Sequence, residues 1–125
     1  MFQISTYETF QDGQVIFKEG DNGDWIYVVD EGEVVLSKIV DGRKVVIESL
    51  KEGDIFGEMA YIDKTPRSAT ATAKGKAVVG ILDREFFDKE FNKLSKDFQQ
   101  MLKTVAFRLR KTTETLLEGG KRPRE

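Results

Sequence analysis

The segment FGEMAYIDKTPRSATATA, residues 56–73, places one carboxylate and one arginine in a largely apolar stretch that ends in small residues. The preceding Gly53-Asp54 is expected to turn the chain, and residues 55–56 to form a short strand. Residues 57–60 predict one helical turn, whose first N–H groups find no acceptor inside the turn. Residues 69–73 predict a strand with small side chains on one face, which indicates that something approaches this backbone closely.

A phosphate pocket is the chemistry that the middle of this segment favours. Pro66 stiffens the chain before Arg67, and Ser68 adds a hydroxyl and a backbone N–H. A guanidinium beside a helix start supplies a fixed charge and directed donors, which suits a phosphate. Glu58 would repel that phosphate unless it accepts from a hydroxyl, and a ribose offers one. Glu58 and Arg67 therefore suit a ligand with a phosphate and a ribose, or else form an ion pair that holds a turn.

The chain before residue 83 predicts an all-β unit. Short apolar runs alternate with glycine turns at a spacing of about ten residues, which is typical of a β-sandwich, roll or barrel. Asp41-Gly42 between two apolar runs predicts a two-residue hairpin.

The chain after residue 83 predicts two helices. Asp83 is the expected N-cap of the first, and the second is expected from about Ser95 to Leu117. The second helix carries a heptad-like series at alternating steps of four and three: Phe98, Leu102, Val105, Leu109, Thr112 and Leu116. This series predicts a homodimer through the C-terminal helix; alternatively, the helix only lies on the β-unit. Residues 119–125 predict a disordered basic tail after a glycine stop.

The composition excludes several classes of function. The 125 residues include no cysteine and no histidine, so the usual thiolate, general-base and metal-ligand chemistry is missing. A cupin-like metal oxygenase or a phosphodiesterase is therefore not expected, and the chain is predicted not to be an enzyme. The net charge of −2 argues against a nucleic-acid binder, and no apolar run is long enough to span a membrane. The N-terminus does not have the pattern of a signal peptide, so a cytoplasmic protein is expected.

Residues 53–60, followed by residues 66–70, resemble the phosphate-binding cassette of the cyclic nucleotide-binding domain family. This family includes the bacterial catabolite activator proteins, the regulatory subunits of cyclic-AMP-dependent kinase and cyclic nucleotide-gated channels. The resemblance implies a mainly β fold: an eight-stranded antiparallel, jelly-roll-like β-roll with a short cassette helix and a long C-terminal α-helix. One domain is expected over residues 1–118, with the roll at about 8–82 and the helices at about 83–118.

The resemblance also implies a role for each cassette residue. Arg67 would pair with the cyclic phosphate, and Ser68 would add a bond from its hydroxyl or N–H. Glu58 would accept the ribose 2′-hydroxyl, while Gly57 would let the backbone approach the sugar. The N–H groups near Met59 and Ala60 would complete the cradle.

The base end of the ligand is predicted less directly. Two adjacent hydroxyl residues of the long helix resemble a pair that contacts adenine in catabolite activator proteins. The resemblance implies that Thr112 contacts the ligand of its own subunit and Thr113 that of the partner. Cyclic AMP (cAMP) is then the expected ligand, with cyclic GMP (cGMP) possible. The side chains expected to wall the base are Val35, Val45 and Ile47.

The sequence thus predicts a regulatory cyclic-nucleotide sensor that acts through its C-terminal helix on a downstream partner. No helix-turn-helix domain follows the long helix, so DNA binding is not expected. The chain is either a complete protein that acts in trans or part of a longer one, with the Met start favouring the former. The alternative function is a structural or interaction domain that keeps the fold and binds no nucleotide.

Overall fold

The computed structural model describes the backbone of residues 2–121 and the side chains of residues 2–118. Within this range, six strands and one short helix precede two C-terminal helices. The elements are β1 (Ile4–Phe10), β2 (Val15–Phe17), β3 (Tyr27–Val40), β4 (Arg43–Leu50), β5 (Ile55–Phe56), α1 (Glu58–Asp63), β6 (Thr70–Leu82), α2 (Arg84–Lys93) and α3 (Lys96–Lys121).

Two long strands, β3 and β6, organise the sheet. They pair antiparallel along most of their length, and the sheet order is β1-β6-β3-β4, with β2 paired to β6 and β5 to β3. The β3–β6 register shifts on both sides of Glu31, and Gly32 and Gly75 lie beside this bend with positive φ. Counting the two arms of each long strand separately gives the eight strands predicted, and the mainly β roll is confirmed.

An aromatic stack anchors the core of the roll. The rings of Tyr27 and Phe56 lie 5.2 Å apart, and Phe17 contacts both at 5.7 and 5.9 Å. Aromatic pairs in this distance range add to the free energy gained by burying their apolar area. The other buried members of this core are Val29, Val34, Leu50, Ala71, Ala73, Ala77, Val79 and Ile81.

A second apolar cluster holds α1 and α2 on the roll. Tyr61 of α1 packs with Phe91 of α2, and its hydroxyl donates to Asp88 at 2.7 Å. The predicted N-cap is confirmed, since the Asp83 side chain accepts from the N–H of Phe86 at 3.0 Å. The cassette helix is therefore joined directly to the C-terminal helical segment.

One face of α3 lies against the roll and the other is exposed. Its partly or fully buried positions are Gln99, Leu102, Thr104, Ala106, Arg110, Thr113 and Leu117, and all of these except Thr104 follow helical spacing. An adjacent face, about 100° around the helix, exposes a row of large apolar side chains: Phe98, Met101, Val105, Leu109 and Leu116. None of the described helices is long and apolar enough to cross a membrane.

The C-terminal end of α3 differs from the prediction. The helical backbone continues through Gly119 and Gly120 to Lys121, which corrects the expected helix end near residue 118. Each glycine weakens a helix by about 1 kcal/mol relative to alanine but does not remove a backbone hydrogen bond. The rest of the predicted disordered tail, residues 122–125, lies outside the described residues.

Candidate functional site

The cassette begins at a left-handed turn. Gly57 has φ 83° and ψ 2° and is the N-cap of α1, where no side chain caps the first turn. A Cβ atom on Gly57 would lie 2.7 Å from Nη1 of Arg67 and 2.9 Å from the carbonyl oxygen of Trp25. Both the positive φ and the lack of space therefore require glycine here.

The guanidinium of Arg67 is buried inside the cassette. Nη1 donates to the carbonyl oxygen of Gly57 at 2.9 Å, and Nη2 donates to that of Trp25 at 2.8 Å. The guanidinium also lies 4.2 Å from the ring centroid of Phe17, which is a cation–π contact. Only 5% of Arg67 is exposed, so its orientation is fixed by its neighbours.

The charge of Arg67 has no carboxylate partner within salt-bridge distance in the described part of the chain. Its two hydrogen bonds go to neutral carbonyl groups, which orient the guanidinium without neutralising it. Burial lowers the pKa of Arg67 below its usual value, and the charges around it reduce this shift without reversing it. A buried cation of this kind offers a strong site for an anion.

Glu58 lies near Arg67 without pairing to it. Burial raises the pKa of Glu58, the like charge of Glu48 adds to this, and Arg67 opposes it. Within residues 2–118, the two side chains form neither a hydrogen bond nor a salt bridge. The ion pair considered from sequence is therefore absent, and the Glu58 carboxylate is left with acceptor capacity.

A cavity of about 450 Å³ adjoins the cassette and has the volume of a small-molecule site. Arg67, Ser68 and Met59 line it from the cassette, whereas Gly57 and Glu58 are not part of its lining and Ala60 is buried in the protein. No group of three or more carboxylates is placed to hold a metal ion anywhere in the described residues. The cavity lining holds charges of both signs, with the cations Lys38, Arg67 and Arg110 and the carboxylates Glu19, Glu48 and Glu114.

The cavity wall on the roll differs in part from the residues predicted to contact a base. Ile47 lines the cavity as expected, but Val35 and Val45 are not part of its lining. Leu36 and Lys38 line it instead, because alternate residues of β3 point to the same face of the strand. The prediction for Val35 missed the cavity by one residue, because its neighbour Leu36 points to the cavity face of the strand.

The helix α3 covers one side of the cavity. Thr113 is partly buried and lines the cavity with Leu109, Arg110 and Glu114, whereas Thr112 is exposed and does not line it. The structure thus brings Thr113, rather than Thr112, to the cassette of the same chain.

Arg110 joins α3 to the cassette through a contact that no sequence pattern predicted. Its Nε donates to Oδ2 of Asp63 at 2.6 Å, and Nη2 donates to Oδ1 at 3.1 Å. A third bond runs from Nη1 to the carbonyl oxygen of Pro66 at 3.1 Å. Burial acts to raise the pKa of Asp63, but hydrogen bonds from Arg110 and Thr65 outweigh it, so the pKa lies below its usual value.

The sequence profile of the family described as cyclic nucleotide-binding domain matches residues 7–93. The chain belongs to the cyclic nucleotide-binding domain family. It is 35% identical over 80 residues to a cAMP-dependent protein kinase regulatory subunit of Mucor circinelloides f. lusitanicus, covering 64% of this chain and 19% of that protein. It is 42% identical over 87 residues to a cGMP-dependent protein kinase of Toxoplasma gondii, covering 70% of this chain and 8% of that protein.

Solved structures show the same fold. The EAL enzyme Bd1971, in a form bound to cAMP and cyclic-di-GMP, matches with a TM-score of 0.81 and 30% identity. That match covers 87% of this chain and 29% of the other. The cGMP-bound form of the same enzyme matches with a TM-score of 0.78 and 31% identity over 84% of this chain and 28% of that one. The chain therefore spans less than a third of the length of each of these proteins.

Proposed function

We propose that this chain is a cytoplasmic regulatory domain that senses cAMP and does not change its ligand chemically. The observation that carries the proposal is the buried, oriented and un-neutralised guanidinium of Arg67 at the edge of a 450 Å³ cavity. An anion that replaces water at such a cation recovers part of the cost of burying the charge. Membership of a cyclic nucleotide-binding family gives the chemical class of that anion.

The cyclic phosphate is placed at Arg67 and Ser68 in this proposal. The two carbonyl groups of Gly57 and Trp25 engage one N–H of each terminal nitrogen, so other N–H groups of the guanidinium remain for phosphate oxygens. Ser68 and the first-turn N–H groups of α1, near Met59 and Ala60, add neutral donors. Glu58 accepts the ribose 2′-hydroxyl with its ionised carboxylate.

The base is placed beneath α3. Thr113 lines the cavity from that helix, and a hydroxyl accepts from the amino group of adenine. We therefore infer cAMP as the preferred ligand and cGMP as the weaker one. Relatives and fold neighbours named for each nucleotide support both as candidates.

The signal is proposed to leave the site through Arg110. This residue binds Asp63 at the end of α1 and Pro66 just before Arg67, so a shift of the cassette moves α3. A ligand that contacts both the cassette and Thr113 favours the arrangement in which these contacts exist together. The downstream partner is then a protein that recognises one arrangement of α3.

The exposed face of α3 is proposed to pair with a second copy of the chain. Val105 is 57% exposed on this face and belongs to the heptad-like series. Sedimentation equilibrium of Val105→Glu should give the mass of a monomer where the unaltered chain gives a dimer. Glu114→Gln, on the same helix but outside the series, is the control and should keep the mass of the unaltered chain.

Calorimetric titration with cAMP and cGMP tests the main proposal. We expect micromolar or tighter binding of cAMP, and a loss of about 2 kcal/mol or more in Arg67→Ala because charge-assisted bonds to phosphate are removed. Arg43→Ala is the matched control, since Arg43 is an exposed arginine on β4. No binding of either nucleotide by the unaltered chain would favour a structural domain that keeps the fold.

A further inference from the structure

A second cation, Lys38, lines the same cavity as Arg67. Its Nζ donates to the carbonyl oxygen of Ser68 at 2.6 Å and lies 3.2 Å from Oε2 of Glu19. The Lys38 side chain is only 15% exposed. The lysine is therefore held in place at the end of the cassette, beside the residue that follows Arg67.

The donors of Lys38 are not exhausted by these contacts. A lysine ammonium has three N–H donors, and the described residues supply two acceptors, the Ser68 carbonyl and the Glu19 carboxylate. Glu19 is itself held by the N–H of Ile39, which donates to Oε1 at 3.2 Å. The ammonium is thus positioned by two fixed groups and keeps one donor for the cavity.

We propose that Lys38 is a ligand-binding residue that donates its remaining N–H to an anionic phosphate oxygen of the bound nucleotide. The phosphate end is favoured over the base because Nζ contacts Ser68, whose own hydroxyl and N–H are assigned to the phosphate. This inference rests on the proposed function. It implies that Lys38 contributes equally to cAMP and cGMP binding, since both carry the same cyclic phosphate.

A purely structural role for Lys38 makes a different prediction. If the Lys38–Glu19 pair only ties β3 to the loop that follows β2, then removing either partner should weaken binding in the same direction. If Lys38 serves the phosphate, Glu19 competes with the ligand for its charge. Neutralising Glu19 should then leave binding unchanged or tighten it.

Titration calorimetry of four variants of the 125-residue chain separates these roles. Lys38→Met should bind cAMP and cGMP about tenfold more weakly, as expected for losing one charge-assisted bond in a partly exposed site. Lys38→Arg should stay within about threefold of the unaltered chain, because it keeps the charge. Glu19→Gln keeps the acceptor for Ile39 and should bind as tightly as the unaltered chain or more tightly. Lys44→Met, at an exposed lysine of β4, is the control and should change binding less than about twofold.

Several results would overturn the inference. Binding by Lys38→Met within twofold of the unaltered chain excludes a phosphate contact, and so does a much larger loss for one nucleotide than for the other. Parallel weakening by Lys38→Met and Glu19→Gln shows a structural tie instead. Thermal unfolding of each variant confirms that it is folded. No binding by the unaltered chain would overturn the proposed function itself, whereas the results above overturn only the role of Lys38.

Discussion

Arg67 and Arg110 are two largely buried arginines that contact the same short cassette in different ways. Arg110 is neutralised by two bonds to the carboxylate of Asp63 and a third bond to a carbonyl group. Arg67 donates to two carbonyl groups and has no carboxylate within salt-bridge distance in the described residues. Removing one partner of a buried ion pair destabilises the protein, because the other charge stays buried without its partner. A buried cation with no anionic partner costs free energy until an anion binds beside it. The comparison indicates that Arg110 holds the structure and Arg67 binds the ligand.

The largest expected effect is on stability, from Arg110→Met. Removing Arg110 leaves the buried Asp63 carboxylate with only its hydrogen bonds from Thr65, and we expect a loss of about 3 kcal/mol in the free energy of unfolding. Arg67→Met, its matched control, should stay within about 1 kcal/mol of the unaltered chain, because two lost hydrogen bonds are offset by removal of a buried charge. Urea unfolding at pH 7 without nucleotide measures both.

The pH dependence adds a check on this prediction. The pKa of Asp63 is lowered in the folded chain, so its pair contributes stability above the ordinary value of 3.8 that is lost as pH falls through the lowered pKa. The difference in the free energy of unfolding between Arg110→Met and the unaltered chain should therefore become smaller in strong acid. Equal losses in Arg110→Met and Arg67→Met at pH 7 would contradict the distinction between the two arginines.

Gly57→Ala should disturb Arg67 without changing its charge. The added Cβ would lie 2.7 Å from Nη1, so the guanidinium must move, and the positive φ of 83° adds strain. Gly53→Ala is a close control, because Gly53 has φ 92° and no atom within 4 Å of an added Cβ. We expect a stability loss of about 1 kcal/mol for Gly53→Ala and about 2 kcal/mol for Gly57→Ala. By calorimetry, only Gly57→Ala should lose cAMP affinity, and equal affinities in the two variants would show that Arg67 tolerates the shift.

Glu58→Gln should affect stability and binding in opposite directions. Burial raises the pKa of Glu58, so its contribution to stability is present below the ordinary value of 4.5 and lost as pH rises through the raised pKa. At pH 7 the variant should therefore melt at a higher temperature than the unaltered chain, and the difference should vanish in acid. Its cAMP affinity should fall about tenfold, because a charged acceptor for the ribose is lost.

Glu31→Gln, at an exposed glutamate of β3, is the control for Glu58→Gln and should change neither the melting temperature nor the cAMP affinity. A lower melting temperature in Glu58→Gln, with unchanged affinity, would assign Glu58 to the fold. Differential scanning calorimetry and titration on the same samples provide both measurements.

Local chemistry explains what the sequence predicted well. The Asp41-Gly42 hairpin connects β3 to β4 as expected, because both positions have positive φ and these residue types adopt it readily. Asp83 caps α2 because its short carboxylate reaches an N–H three residues on. The cassette was also identifiable, since its turn, helix and arginine lie within a short segment and resemble a known family.

Contacts between distant segments explain what the sequence could not predict. Arg110 and Asp63 are 47 residues apart, and Lys38 and Ser68 are 30 apart, so no local pattern shows that they meet. Gly57 was expected to make room for a sugar, but the atoms that a Cβ at this position would meet belong to Arg67 and to the carbonyl group of Trp25. The facing side of a helix is also hard to predict, because one residue of error rotates a position by about 100°.

The smallest expected effect concerns which side of α3 points into the cavity, and the variants Thr113→Ala and Thr112→Ala test this directly. Thr113 lines the cavity of its own chain, and Thr112 is exposed next to it. A hydroxyl that accepts from the adenine amino group contributes about 1 kcal/mol, so Thr113→Ala should bind cAMP about fivefold more weakly. Under conditions where the chain is monomeric, Thr112→Ala should bind as the unaltered chain does. Titrations at rising protein concentration compare the two: a loss in Thr112→Ala that appears only with dimerisation would place this hydroxyl at the site of the second subunit. If Thr112→Ala alone lost cAMP affinity, and did so already in the monomer, this result would contradict the orientation of α3 in which Thr113 points into the cavity.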